Sequence, residues 1–257
     1  MVIPELVDFC NLKCALCWNR NRKGSFRQMP LKTVEKVIDV FGRNENYHWY
    51  NWGEPLFYEN FHEFAEIAKN VRSTISSNFS MPLTEQHFED LAKLRQVILS
   101  LSGLTRDIYG IYHQGGNFDA VMGNVRHLVG TPVNVIVNWI RHPKNKHQEK
   151  LSQEWSFDRE FGWGCVDLNC EVEEQLQEFT HPFLKGMDTY SSKIKECKIK
   201  KWVPISVDGE YLLCCASHNV GTGYTIWDNI SREELVEIKS QMTLCKECMK
   251  KECWRMY

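Results

Sequence analysis

Several features are missing from this chain, and each absence removes a class of protein. No stretch approaches the roughly 18 consecutive apolar residues of a membrane-spanning helix. The opening residues Met1-Val2-Ile3-Pro4 place no charged segment ahead of an apolar one, so no secretory signal is expected. Neither sign of charge dominates. A net charge of −2 gives no electrostatic footprint for nucleic acid or another large polyanion. There are no internal repeats and no low-complexity tracts. Between Cys17 and Cys165 there is no cysteine at all.

What is present sets the scale. The 257 residues fit one large domain, or one domain with a small appendage, and an apolar fraction of 43% is enough for a core. Eleven cysteines without an export signal predict a reducing compartment, the cytoplasm, and metal ligation rather than disulfides. Nine tryptophans can line a pocket or fill the core.

The first cysteines, Cys10, Cys14 and Cys17, are spaced C-x3-C-x2-C directly after the apolar run Val2 to Val7. A structural zinc site wants four ligands in two pairs. A ferredoxin-type run supplies a fourth cysteine close by. Three thiolates alone can hold three irons of a 4Fe–4S cubane and leave the fourth iron open to a small chelating ligand.

Alternating patterns follow. Strands are expected over 2–9, 47–51, 73–78, 97–103 and 133–140. Helices are expected over 31–41, 61–71, 84–94, 118–129 and 146–155, each with apolar residues at helical spacing. Strands alternating with helices of this length predict βαβ units and a parallel sheet. Ligands then gather at the carboxyl ends of the strands. The cysteine loop, Gly53-Glu54-Pro55, Asn78 and Ser102-Gly103 all fall there. From Cys197 the character changes. Trp202 to Val207, Asp208-Gly209 and Glu210 to Cys215 read as a β-hairpin with an Asp-Gly turn, and a helix follows over 231–241.

The run Cys10-Asn11-Leu12-Lys13-Cys14-Ala15-Leu16-Cys17 resembles the signature of the radical SAM superfamily. Gly53-Glu54-Pro55 resembles that family's motif after the second strand, with Trp52 where many relatives have another Gly. Ser77-Asn78 and Ser100-Leu101-Ser102-Gly103 resemble its turns after the third and fourth strands. His113 and Gln114 stand before the paired glycines Gly115-Gly116, where relatives usually have Arg. The resemblance implies a partial (β/α)6 barrel over residues 1–190. It also implies a 4Fe–4S cluster on Cys10, Cys14 and Cys17, and S-adenosylmethionine on the open iron. Gly53, Glu54, Pro55, Asn78, Ser100, Ser102 and Asn138 become the candidate cofactor contacts. A flavodoxin- or ferredoxin-type reductant is the implied partner.

Cys197, Gly209, Cys214, then Cys245 and Cys248, resemble the SPASM/Twitch extension of the same superfamily. That extension would occupy residues 191–257 as a β-hairpin plus helix, with one auxiliary 4Fe–4S cluster. Cys253 is an alternative ligand. A zinc knuckle follows the same ligand logic.

The resemblance further implies hydrogen-atom abstraction from a substrate, which is a small molecule or a peptide. Three outcomes are carried forward. In dehydrogenation the auxiliary cluster accepts the electron, and Arg141, His142 or His113 takes the proton. In epimerisation a thiol returns a hydrogen atom, with Cys165, Cys170 and Cys215 as candidates. The third outcome is crosslinking of a ribosomal peptide. Against all three stands a non-enzyme, an iron–sulfur carrier or zinc-stabilised module, which needs neither an open iron nor a ligand cleft. The leading expectation is oxidation of a small polar metabolite.

Overall fold

The computed structural model describes residues 1–15, 17–21, 26–167, 201–214 and 220–250. Six short parallel strands run in sequence order across one sheet: β1 (Val2–Pro4), β2 (Asn46–His48), β3 (Arg72–Ser77), β4 (Gln96–Leu101), β5 (Val135–Arg141) and β6 (Gly162–Asp167). Parallel neighbours need a crossover of a dozen or more residues. Here α1 (Leu31–Phe41), α2 (Phe61–Ala68), α3 (Glu85–Ala92), the pair α4 (Arg106–Tyr112) and α5 (Phe118–Leu128), and α6 (Glu149–Phe157) supply them. This is the α/β architecture with a parallel sheet that the alternating pattern predicts.

Local sequence explains the elements. Helix α1 buries Thr33, Val34, Val37 and Ile38 along one face and stops at Gly42, whose φ of 81° suits a residue without Cβ. Helix α3 starts on a reciprocal Thr84–His87 capping box. On β4 the odd positions Val97, Leu99 and Leu101 are buried, while Gln96, Ile98 and Ser100 are half-buried on the other face. Strand β5 repeats this with Val135, Val137 and Trp139 against Ile136, Asn138 and Ile140. The fully buried set packs with Val34, Phe64, Leu91, Val121 and Val125 of the helices in one core. The half-buried set faces the other side of the sheet, with Ser100 in register with Asn138.

Several elements differ from the sequence expectation. Strand β1 is three residues, so the cysteine loop begins earlier. Helix α4 forms on its own ahead of a 113–117 turn. Strand β6 is not among the strands expected from the sequence, because Gly162 and Gly164 dilute its β-propensity. The hairpin does form, as β7 (Val203–Ile205) and β8 (Glu210–Leu212) with β9 (Gly221–Thr225) beyond. However, β7 pairs in parallel with β1, so the hairpin extends the sheet. Among the described residues the order is β6-β5-β4-β3-β2-β1-β7-β8-β9.

Helix α7 (Arg232–Gln241) follows, opened by a Ser231–Glu234 capping box. Its Lys239, almost fully buried, donates to the Trp202 carbonyl at 2.8 Å ahead of β7. Helix α8 (Thr243–Lys250) then contains Cys245 and Cys248, which the sequence places in a turn. The expected boundary near residue 190 lies outside the described residues.

Candidate radical cluster site

The cysteine loop leaves β1 and runs under the turns at the carboxyl ends of its neighbours. Glu5 anchors the first of these turns. It sits almost fully buried in the apolar run, and its Oε1 accepts from Trp52 N at 2.9 Å and Gly53 N at 3.1 Å. A buried carboxylate is tolerated only with such partners. Gly53 lies so close to the loop that a Cβ there would stand 1.9 Å from the Val7 carbonyl oxygen. Glu54 N donates to the Phe9 carbonyl at 2.7 Å. Asn19 closes the other end, with Nδ2 donating to the Trp52 carbonyl at 3.0 Å.

Glu54 and Asn78 tie the next turn. The Glu54 carboxylate accepts from Leu56 N at 3.2 Å and from Asn78 N at 2.8 Å. Burial pushes its pKa up to about 7, opposed by those N–H groups. The Asn78 side chain is engaged on every polar edge. Its Nδ2 donates to Asn11 Oδ1 at 3.0 Å and to Cys10 Sγ at 3.7 Å, and its Oδ1 accepts from Ser80 N at 2.7 Å. Glu54 and Asn78, both candidate cofactor contacts, also hold backbone and loop in place.

The third clamp is the turn after α4. Lys13 N donates to the Gln114 carbonyl and Ala15 N to the Tyr112 carbonyl, each at 2.9 Å, on either side of Cys14. Arg20 bridges the Lys13 carbonyl at 2.7 Å and Gln114 Oε1 at 2.6 Å. His113 is fully buried with Nδ1 3.5 Å from Cys14 Sγ. Its Nε2 has no partner among the described residues. Burial, and then His142 beside it, push its pKa down to about 3, so the ring is neutral.

The donor set fits a cluster. Cys10, Cys14 and Cys17 are each half-buried on this loop, and none is in a disulfide. Burial, followed by the charge of Glu54, raises the Cys10 thiol to about 12. Burial and then the neighbouring cysteines raise Cys14, and burial raises Cys17. Three soft thiols in a place that penalises bare thiolates fit a cationic iron group that supplies the missing charge. Among the described residues no three His, Cys, Asp or Glu converge as a single ion requires. Ligands of separate irons in a cubane stand farther apart than ligands of one ion.

The remaining candidates divide. Ser100 Oγ meets Ser76 Oγ at 3.2 Å on the half-buried face, and Asn138 lies in register beside it. Ser102 is fully buried, and its Oγ has no hydrogen-bond partner among the described residues. Pro55 opens a 3-10 turn, Pro55–Phe57, in which it is buried. Arg141, a candidate base, forms a two-point ion pair with Glu149, and a guanidinium so held takes no proton. His142, at the end of β5, is almost fully buried. Burial lowers its pKa, opposed by the Ser102 carbonyl. Cys165 lies in β6 in register with Trp139. Cys214 follows β8 and Cys245 lies in α8, both half-buried. Cys170, Cys197, Cys215 and Cys253 lie outside the described residues.

Two contributors escaped the sequence. Glu5 carried one signal, a lone carboxylate inside an apolar run. Helix α4 carried none beyond its Thr105 start.

Residues 5–149 match the Radical SAM superfamily, and the chain belongs to it. The family implies S-adenosylmethionine and a 4Fe–4S cluster. The fold is similar to that of Streptococcus suis SuiB, with a TM-score of 0.68 at 14% identity over 97% of this chain and 67% of that one. It is also similar to native anSMEcpe with bound AdoMet, at 0.62 and 14% over 97% and 82%. A third likeness is BtrN in complex with AdoMet and 2-DOIA, at 0.56 and 15% over 99% and 87%. No curated protein matches the chain. Among the described residues no helix is long and apolar enough to cross a membrane.

Proposed function

We propose that Cys10, Cys14 and Cys17 hold the open 4Fe–4S cluster and that the protein oxidises a small polar metabolite. When bound, the cluster and S-adenosylmethionine supply a 5′-deoxyadenosyl radical that removes a hydrogen atom from the substrate. The observation that carries the reading is the clamped loop: turns after β2, β3 and α4 fix the triplet at the carboxyl ends of the strands.

The chain's own residues take the other tasks. Ser100 and Asn138, paired in register on the half-buried face, offer hydroxyl and amide groups to a polar ligand. His142 is the proton acceptor in this reading: it is buried at the end of β5 and burial lowers its pKa, whereas Arg141 is held by Glu149. Cys197, Cys214, Cys245 and Cys248, with Cys253 as the alternative, hold the auxiliary cluster that supplies an electron acceptor. The likeness to BtrN, whose structure holds 2-DOIA, supports a small substrate.

A second reading, modification of a peptide, is favoured by the likeness to SuiB bound to precursor peptide SuiA and to anSMEcpe bound to Cp18Cys peptide. The test is anaerobic reconstitution followed by dithionite and S-adenosylmethionine. Formation of 5′-deoxyadenosine supports the radical reading, and its absence from an iron-loaded sample overturns it. Polyols and amino sugars, then peptides, are screened for faster formation. A response to peptides alone would replace the metabolite reading.

A further inference from the structure

We propose that His113 is a positioning residue for the cluster's redox state: its Nδ1–H donates to the Cys14 sulfur and raises the reduction potential of the open cluster. The inference rests on the proposed ligation by Cys10, Cys14 and Cys17.

The geometry carries it. Nδ1 lies 3.5 Å from Cys14 Sγ, within reach of an N–H···S bond. An iron-bound thiolate has no proton and only accepts. Nδ1 therefore carries the hydrogen, and Nε2 keeps a lone pair. The ring cannot swing away. Tyr109 stacks on it at 4.6 Å, and Tyr112 meets it edge-on at 5.0 Å. Its backbone N donates to the Tyr109 carbonyl at 3.0 Å, and its carbonyl accepts from Gly116 N at 3.0 Å. The two backbone bonds from Lys13 and Ala15 to the same turn keep Cys14 opposite the ring.

Burial makes the bond consequential. His113 is fully buried, and in a dry site a hydrogen bond to a charged sulfur acts at low dielectric. Reduction adds an electron that spreads onto the cluster sulfurs. A donor on one of them stabilises the reduced state more than the oxidised one, which moves the potential upward. Cys10 receives its own donors, the Leu12 N–H at 3.4 Å and the Asn78 amide at 3.7 Å, which the His113 substitutions leave in place. In this chain, then, the position before Gly115-Gly116 serves the cluster through an imidazole, where the family resemblance leads to an Arg.

The test is an EPR-monitored redox titration without S-adenosylmethionine, on wild type, His113→Leu and His113→Gln. The open cluster is recognised as the signal that S-adenosylmethionine perturbs and that Cys10/Cys14/Cys17 substitution removes. His113→Leu is expected to titrate at a lower potential than wild type. His113→Gln, which keeps an N–H, is expected to lie closer to wild type. An unchanged midpoint in an iron-loaded His113→Leu protein overturns the proposal.

A second measurement does not depend on the variants. Pulsed EPR of the reduced wild-type cluster is expected to show a weakly coupled nitrogen that changes when histidine alone is labelled with nitrogen-15. Absence of that change overturns the proposal even if the variants assemble no cluster. Failure of any signal to depend on the three cysteines would instead overturn the ligation reading, and this inference with it.

Discussion

Cys10, Cys14 and Cys17 share one loop, clamped by backbone and side-chain bonds from three separate turns. Cys214 and Cys245 stand on different elements, one after β8 and one inside α8. In the first set Glu5, Gly53, Asn78 and the 112–116 turn hold the loop through contacts of the polypeptide itself. The described part of the second set, Cys214 and Cys245, is spread over two elements. What fixes its neighbourhood is the sheet pairing of β7 on β1 and the Lys239 bond to Trp202. A catalytic cluster that must bind a further ligand gains from a preorganised cradle, whereas a fully ligated cluster can help to build its own.

The sharpest break of this comparison is Cys14→Ala. It is expected to abolish 5′-deoxyadenosine formation while leaving iron on the second set, read by iron analysis and product chromatography. Next is Gly53→Ala. The added Cβ meets the Val7 carbonyl at 1.9 Å, so the loop must move. The expected cost is at least about 3 kcal/mol in denaturant unfolding of the metal-free protein, with cluster assembly at the first site failing before that at the second.

Much of this contrast was legible in the sequence. The triplet spacing marked the first site, and the alternation of β-branched strands with amphipathic helices gave the parallel sheet. Gly53-Glu54-Pro55 was legible as a turn, but the inward role of Glu54 was not, because its partner Asn78 arrives from another strand. The His113–Cys14 contact spans 99 positions, and no local pattern encodes it. Strand β6 was hidden by its two glycines. Helix α8 was hidden because a C-x2-C pair reads as a turn, although the same i, i+3 spacing suits a helix.

Glu54→Gln tests the clamp by pH. Burial raises the folded pKa of Glu54 to about 7, above its ordinary value of 4.5. The native state therefore binds the proton more tightly than the unfolded chain. The stability this group contributes is full below 4.5 and falls as pH rises toward 7. Substitution is expected to cost about 1–3 kcal/mol, with the gap to wild type widest near pH 4.5 and narrowing toward neutrality. Thermal unfolding across that window reads it. A gap that widens with pH would mean that the N–H groups of Asn78 and Leu56 outweigh burial.

The smallest expected effect is on the other side of the comparison. Lys239→Met keeps the apolar stem and removes the bond to Trp202. It is expected to cost about 1 kcal/mol and to lower iron retention by the second set during chelator challenge, with 5′-deoxyadenosine formation unchanged. Equal loss from both sets would show that they are one cooperative unit.

The central claim is that Cys10, Cys14 and Cys17 hold a cluster of their own. Iron and acid-labile sulfide per chain, after anaerobic reconstitution of wild type and of a Cys10/Cys14/Cys17 triple Ala variant, test it most directly. The account predicts about eight irons falling to about four, as for two 4Fe–4S clusters of which one is lost. A triple variant that keeps the full wild-type iron and sulfide would contradict it.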